Sequence, residues 1–560
     1  MALTSPHSLS SASASFYTAQ DSGPSTAMPS YREARPLPRE LQEHCRIFLE
    51  EQLYVCAANL LNSTLGAGLG RGEATSVPVP PASHLALLAT LMVHPAQTTR
   101  AEKADVVCVA ALAGDYLRNL LAVVGPVNGG FRRAFRFGGV VGGRRYGGFG
   151  EDEGGSDEED DEEEKGRGGD DDGLRGALAN EHSVWVRGQD LWSTVGWAFN
   201  TAARYPARWR FWRVWLELVL DVLEADWKER SRLDGVDGDD NDEEAPTTWR
   251  AQSMVVMYLD QRDGRQSGLK RIVRALFADG GDLSSSAFPE VFDGEPRGPR
   301  KPSKKRKREL DVQNDQFGDY LDDDSISSGV SEPPTPQKAR RGRRLPSAVL
   351  STYASAGLAE SVPLRLRFFR RLSAATWALR RQDQLNRLYE DYAAAVKVLP
   401  LPLFSLFVTQ RENPLVDETH ITITKELFEL LLPAKHKSPD KVDAENDAKG
   451  GLTMAMLEHC YMPWPANTVG LDDNAKLSLL VENALQLLWT LDLVEYSDGL
   501  ADAAIKGIEA RKTKSTTTRT GRAKAEAGDL VAQNVLNNSA ERIRIILKLL
   551  RECAGPEPEM

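Results

Sequence analysis

The chain has 560 residues, of which 41% are hydrophobic and 27% charged, with a formal net charge of -12 and a mean hydropathy of -0.40. That length could hold about three or four domains, but the polar mean hides two populations: long apolar-periodic segments, and charged stretches rich in Gly, Ser and Pro. Five dispersed cysteines without a Cys-x-x-Cys pair exclude a zinc ribbon or a disulfide framework as the organising principle and fit a reducing compartment.

The Ser-rich N-terminus has neither the basic nor the apolar region of a signal peptide. No run of about 18 apolar residues stands out as a membrane span, so no membrane partner is expected. Residues 1–36 read as a disordered tail. A helical segment occupies 37–124, where Leu41, Cys45, Phe48, Leu49, Leu53, Cys56 and Leu60 share one stripe and further helical patterns run over 83–93 and 99–123.

Residues 125–180 read as a disordered insert. Glycine, arginine and aromatic residues alternate first, and an acidic run comes after them. Arg132, Arg133, Arg144 and Arg145 in the first part are candidate contacts for nucleic acid or a protein partner.

The segment 181–279 is helical and contains the tryptophan-rich stretch that carries Trp209, Trp212, Trp215 and Trp227. Trp212, Leu216, Val219, Leu220, Leu223 and Trp227 recur at helical spacing on one face, and Arg210, Arg213, Glu217, Asp221, Glu224 and Lys228 lie largely on the other. This pattern predicts a core helix. Its basic end, Arg208, Arg210 and Arg213 interleaved with aromatics, is the part expected to remain for a partner or a nucleic-acid strand.

Residues 280–346 read as a disordered linker with two basic clusters. Lys304, Lys305, Arg306, Lys307 and Arg308 form the first, and Arg340, Arg341, Arg343 and Arg344 the second. Compact Lys/Arg runs in an exposed linker point to nuclear import. Thr335 and Ser438 each stand in a Ser/Thr-Pro-x-Lys setting that suits a proline-directed kinase, and a phosphate on Thr335 would mask the second cluster.

The last segment, 347–553, reads as a C-terminal helical domain with loops near 434–450 and 510–528. Helical patterns cover 360–380, 383–398, 400–410, 424–432, 475–493 and 529–552, with Asp473-Asn474 placed as the cap of the 475–493 helix. The basic tracts Arg365 to Arg371 and Arg511 to Lys524 join the nucleic-acid candidates. The expected fold is all-α: an irregular helical-hairpin solenoid of the HEAT or TPR kind, in two halves interrupted by long acidic and basic inserts.

Catalytic signatures are missing: no phosphate loop, dinucleotide fingerprint, His-Glu-x-x-His or nucleophile elbow occurs. His420, Asp417 and Cys460 are the one trio that could converge in space. The expectation is therefore a non-enzymatic nuclear scaffold or adaptor in a larger assembly acting in chromosome maintenance, chromatin or transcription. Protein partners are expected, and phosphorylation of its loops would regulate it. No catalytic or metal-ligating residue, cofactor or small-molecule substrate is expected. The alternative is direct DNA or RNA binding through the arginine, aromatic and basic-cluster surfaces.

Overall fold

In the computed structural model, which describes residues 31–70, 75–101, 104–138, 173–237, 248–260, 268–297, 347–409, 413–494, 496–516 and 527–553, the chain is 72% helical and 2% strand, an all-α protein. Part of the expected N-terminal tail is ordered. Ala34–Pro36 forms β1, which pairs in parallel with β2, Val77–Val79. Between them lie α1 (Arg39–Glu50) and α2 (Tyr54–Leu69), then come α3 (Ala82–Leu91) and α4 (Ala104–Val124). The single helix expected over 41–60 is divided at Gln52, whose φ of 61° ends α1.

Within α4, Val106–Val124 is long and apolar enough by length and composition to span a membrane. That corrects the reading that no such run exists. Its Val109, Ala113, Tyr116, Leu117, Leu120 and Val124 are buried in the protein's core, and α4 packs on α2 and α3.

The glycine-arginine tract is also partly core. Phe131–Ala134 forms the short helix α5, and Phe131, Phe135 and Phe137 are buried. Phe135 stacks on Trp185 of α6 (Val184–Arg187) with centroids 4.6 Å apart. The aromatics of this tract thus serve apolar packing, because burying three large rings removes much apolar surface from water.

Next come α7 (Leu191–Arg204), capped by the Asp190 carboxylate on the Ser193 amide, and α8 (Pro206–Asp237), the tryptophan helix. Trp212 and Trp215 are fully buried, with Trp209 and Trp227 nearly so, and Leu216, Val219, Leu220 and Leu223 join them. The stretch is core, as its spacing predicts. The far end of α8 anchors the two short helices that follow it in sequence. Asp226, held by Arg230 at 2.9 Å, accepts the Met254 amide at 2.7 Å, and Asp234 accepts the amides of Trp249 and Arg250 at 2.8 and 3.1 Å. These carboxylates sit at the N-terminal ends of α9 (Thr248–Ala251) and α10 (Met254–Leu259), where they satisfy amides that have no partner within the helix.

Helix α11 (Gly268–Leu276) precedes the segment that composition marks as linker, and α12 (Asp282–Ala287) lies within it. That reading fails for 280–297: Phe288, Val291, Phe292 and Glu295 are buried in the core. The basic clusters at 304–308 and 340–344, and Thr335, lie outside the described residues.

The C-terminal part begins with α13 (Ser347–Ala378), a 32-residue helix. It packs on α7 and α8, so the segments on either side of 298–346 share one continuous apolar core that extends from Leu37 to Leu550. Contact with α7 is very close: a Cβ on Gly357 would collide with the Ala202 carbonyl oxygen. The remaining helices are α14 (Gln382–Val398), α15 (Leu401–Val408), α16 (Asp417–Leu431), α17 (Ala444–Ala448), α18 (Met454–Met456), α19 (Leu471–Thr490), α20 (Asp498–Thr516) and α21 (Ala527–Cys553). His420 to Thr424, whose alternation of apolar and polar residues resembles a short strand, lies within α16. Asp473 and Asn474 lie inside α19, which starts at Leu471; Asn474 instead accepts the Ala466 amide at 3.1 Å. Helix α20 extends into the stretch expected to be a loop and polar tract from 510 onward. Arg511 on its buried side donates to the Met462 and Trp464 carbonyls at 3.0 and 3.2 Å.

Trp212→Ala removes a fully buried indole and should cost about 3–5 kcal/mol in urea unfolding; a loss below about 1 kcal/mol would contradict the core assignment. His84 on α3 is 1% exposed, and burial together with Arg46 lowers its pKa to about 4. Only the unfolded chain binds that proton between pH 6.5 and 4, so this contribution is present above pH 6.5 and is lost on acidification, by up to roughly 3 kcal/mol. His84→Leu should flatten the stability–pH slope in that window; an unchanged slope would refute the assignment.

Candidate functional site

The sequence candidates scatter. Arg208 lies beneath the surface, 1% exposed. Its Nε faces Glu295 Oε2 at 3.3 Å, Nη1 donates to Thr98 Oγ1 at 2.7 Å and Nη2 to the Val93 carbonyl at 2.5 Å. Glu295 Oε2 also accepts the indole N–H groups of Trp197 and Trp212, at 2.7 and 3.2 Å. Burial raises the Glu295 pKa, opposed by Arg208 and by these three donors. Arg208 was expected at a partner surface, but its charge is neutralised inside the core.

Arg365 is likewise buried. It donates to the Leu276 and Ala278 carbonyls at 2.7 and 2.8 Å, closing the C-terminal end of α11, and lies over the Phe199 ring at 4.1 Å. Burial lowers its pKa to about 9. Arg367 bridges to Asp221 and Glu224 of α8, both at 2.9 Å. The 365–371 tract therefore does not present a free arginine face. At the basic end of α8, Arg213 pairs with Glu217 at 2.8 Å and with Glu360 of α13, whereas Arg210 is exposed and lies over Phe211 at 4.5 Å. Arg132 and Arg133 on α5 are exposed. Arg144 and Arg145 lie outside the described residues. Ser438 is partly exposed at the N-terminal end of the 3-10 turn Pro439–Lys441, its hydroxyl donating to Asp440.

What the helices do assemble is a groove of about 1140 Å³ among α15, α16, α19 and α21. Its floor is α19, with Leu479, Glu482, Asn483 and Gln486, and one wall is α21, with Val535, Asn538 and Arg542. Glu482 is 4% exposed and binds Arg542 through both oxygens, at 2.5 and 2.9 Å. That two-pronged pairing locks α21 to α19. Asn483 meets His420 Nε2 at 3.2 Å, and burial lowers the His420 pKa to about 4, so the imidazole is neutral near pH 7. The buried Asn413 Nδ2, beside the groove, has no acceptor among the described residues.

His420 and Asp417 both line this groove, but Cys460 does not. No group of three or more His, Cys, Asp or Glu residues is placed to hold a metal ion among the described residues. The lining mixes amides and hydroxyls with apolar rims, a composition that suits a macromolecular surface. No protein-family model, curated protein or solved structure matches the chain.

Sequence reasoning missed Glu295, the groove and α20. For Glu295 a signal was available: Phe288, Val291, Phe292 and Glu295 keep helical spacing inside a stretch whose Gly and Pro content suggests a linker.

Glu295→Ala should cost about 3–5 kcal/mol, because it strands the buried guanidinium and two indole donors. Chemical denaturation of the two proteins measures it, and a cost under about 1 kcal/mol would show that Arg208 finds other compensation.

Proposed function

We propose that the protein is a non-enzymatic nuclear scaffold that works by protein–protein contact within a larger assembly acting in chromosome maintenance, chromatin or transcription. The observation that carries the reading is the α19–α21 groove, open and lined by amides and apolar side chains, with the exposed Trp489 at its edge. We take that groove as the docking surface. The Lys304–Arg308 and Arg340–Arg344 clusters supply import, and Thr335 and Ser438 supply phosphorylation control. In this proposal the helices form an irregular helical-hairpin array. Neighbouring pairs such as α1–α2 and α7–α8 support it, while the packing of α13 on α7 and α11 on α14 departs from a regular repeat.

Direct nucleic-acid binding is the second reading. Among the described residues it keeps Arg132, Arg133 and Arg210, since Arg208 and Arg365 are engaged in the core, and it retains Arg144, Arg145 and the Lys304–Arg308 and Arg340–Arg344 clusters, which lie outside them.

A fluorescently tagged full chain should accumulate in nuclei and lose that accumulation when 301–308 and 338–344 are both deleted. Cytoplasmic wild type, or nuclear double deletion, would overturn the import assignment.

A further inference from the structure

Helix α21 carries two stripes. Leu536, Ala540, Ile543, Leu547 and Leu550 are buried on the side that packs on α19 and α20. The second stripe faces outward: Val531, Val535, Asn538, Arg542, Ile545 and Leu549. Its steps are four, three, four, three and four residues, the 3.5-residue period of a coiled-coil seam. Val531, Ile545 and Leu549 are 47%, 56% and 43% exposed. Val535, Asn538 and Arg542 are the groove wall already described.

We propose that this stripe is a homodimer interface in which α21 helices of two copies pair antiparallel across a two-fold axis near residue 540. The inference rests on the reading of the groove as a docking surface and names its occupant as a second copy of this chain. The order of residues along the stripe selects that occupant. In either direction it runs apolar, apolar, polar, polar, apolar, apolar. Antiparallel pairing about the two-fold therefore sets Val531 against Leu549 of the second copy, Val535 against Ile545, and Asn538 against Arg542, with every contact made twice.

A parallel pair would instead oppose Arg542 to Arg542. An unrelated partner helix gives no reason for the stripe to be palindromic. The central arginine enters the seam already neutralised by Glu482. Two of its five N–H donors are used there, leaving others for the Asn538 carboxamide of the second copy. Trp489, 37% exposed at the groove edge, adds an aromatic of the kind that anchors interfaces.

Sedimentation of the full chain tests this. Wild type should run at twice its 61.7 kDa mass at micromolar concentration. Ile545→Asp should run as a monomer with unchanged helical circular dichroism and melting. Leu530→Asp alters a residue that is 57% exposed but about a quarter-turn off the stripe, and should stay dimeric. With Cys56, Cys108 and Cys553 changed to serine, the Val535→Cys/Ile545→Cys double variant should give a disulfide-linked dimer on mild oxidation, whereas Val535→Cys alone should not.

A monomeric wild type, or a dimer that survives Ile545→Asp, would overturn the proposal, and cross-linking by Val535→Cys alone would overturn its antiparallel form. If wild type is monomeric but Ile545→Asp abolishes capture of another nuclear protein, self-association fails while the docking reading survives. If Ile545→Asp changes neither property, both fail.

Discussion

The fold depends on one buried carboxylate. Glu295 gathers the Arg208 guanidinium and the indoles of Trp197 and Trp212, and Arg208 carries the link on to Thr98 and the Val93 carbonyl. Three stretches of chain distant in sequence meet there: the end of the α3 region, the consecutive helices α7 and α8, and the segment after α12. Excluding water from two opposite charges is expensive, and the cost is offset only when each polar atom has a partner. Arg208 satisfies this with three acceptors, whereas Glu295 accepts all of its hydrogen bonds through Oε2 and its buried Oε1 has no partner among the described residues, so the arginine is a structural fixture of the core.

The same arrangement recurs at other helix junctions. Asp226 and Asp234 on α8 hold the starts of α9 and α10, and Arg365 on α13 closes α11. Arg511 on α20 does the same for the Met462–Trp464 turn. Charged groups that composition suggested as ligand contacts are used to satisfy backbone ends. This stabilises the chain, because a helix end buried without a partner leaves several unsatisfied amides or carbonyls. Outward chemistry is left to the α19–α21 groove, where Glu482 and Arg542 fix the relative position of two helices and leave the flanking apolar rim exposed.

The all-α class and the inward face of α8 were legible, because Trp212, Leu216, Val219, Leu220, Leu223 and Trp227 repeat at the period that a buried stripe requires. Composition misled where large residues stood among helix breakers. Phe131, Phe135 and Phe137 looked like a glycine-arginine tract, and Phe288 to Glu295 looked like linker, although each set is core. Helix α20 was hidden because its buried line, Leu500, Ala504, Ile508, Arg511 and Ser515, is sparse in large apolar side chains and includes an arginine. The ligands of Arg208 could not be read locally at all, since Glu295 lies 87 residues away in sequence. The groove was illegible for the same reason: it is made where α15, α16, α19 and α21 converge.

The tryptophans of this stretch and Arg208 are thus interior, with Arg210 on the exposed side, and native-state hydrogen exchange over residues 208–227 tests this packing most directly. These amides should exchange only through global unfolding, with the same protection whether or not single-stranded nucleic acid is present. Rapid exchange in this stretch, or protection gained only on adding nucleic acid, would contradict it.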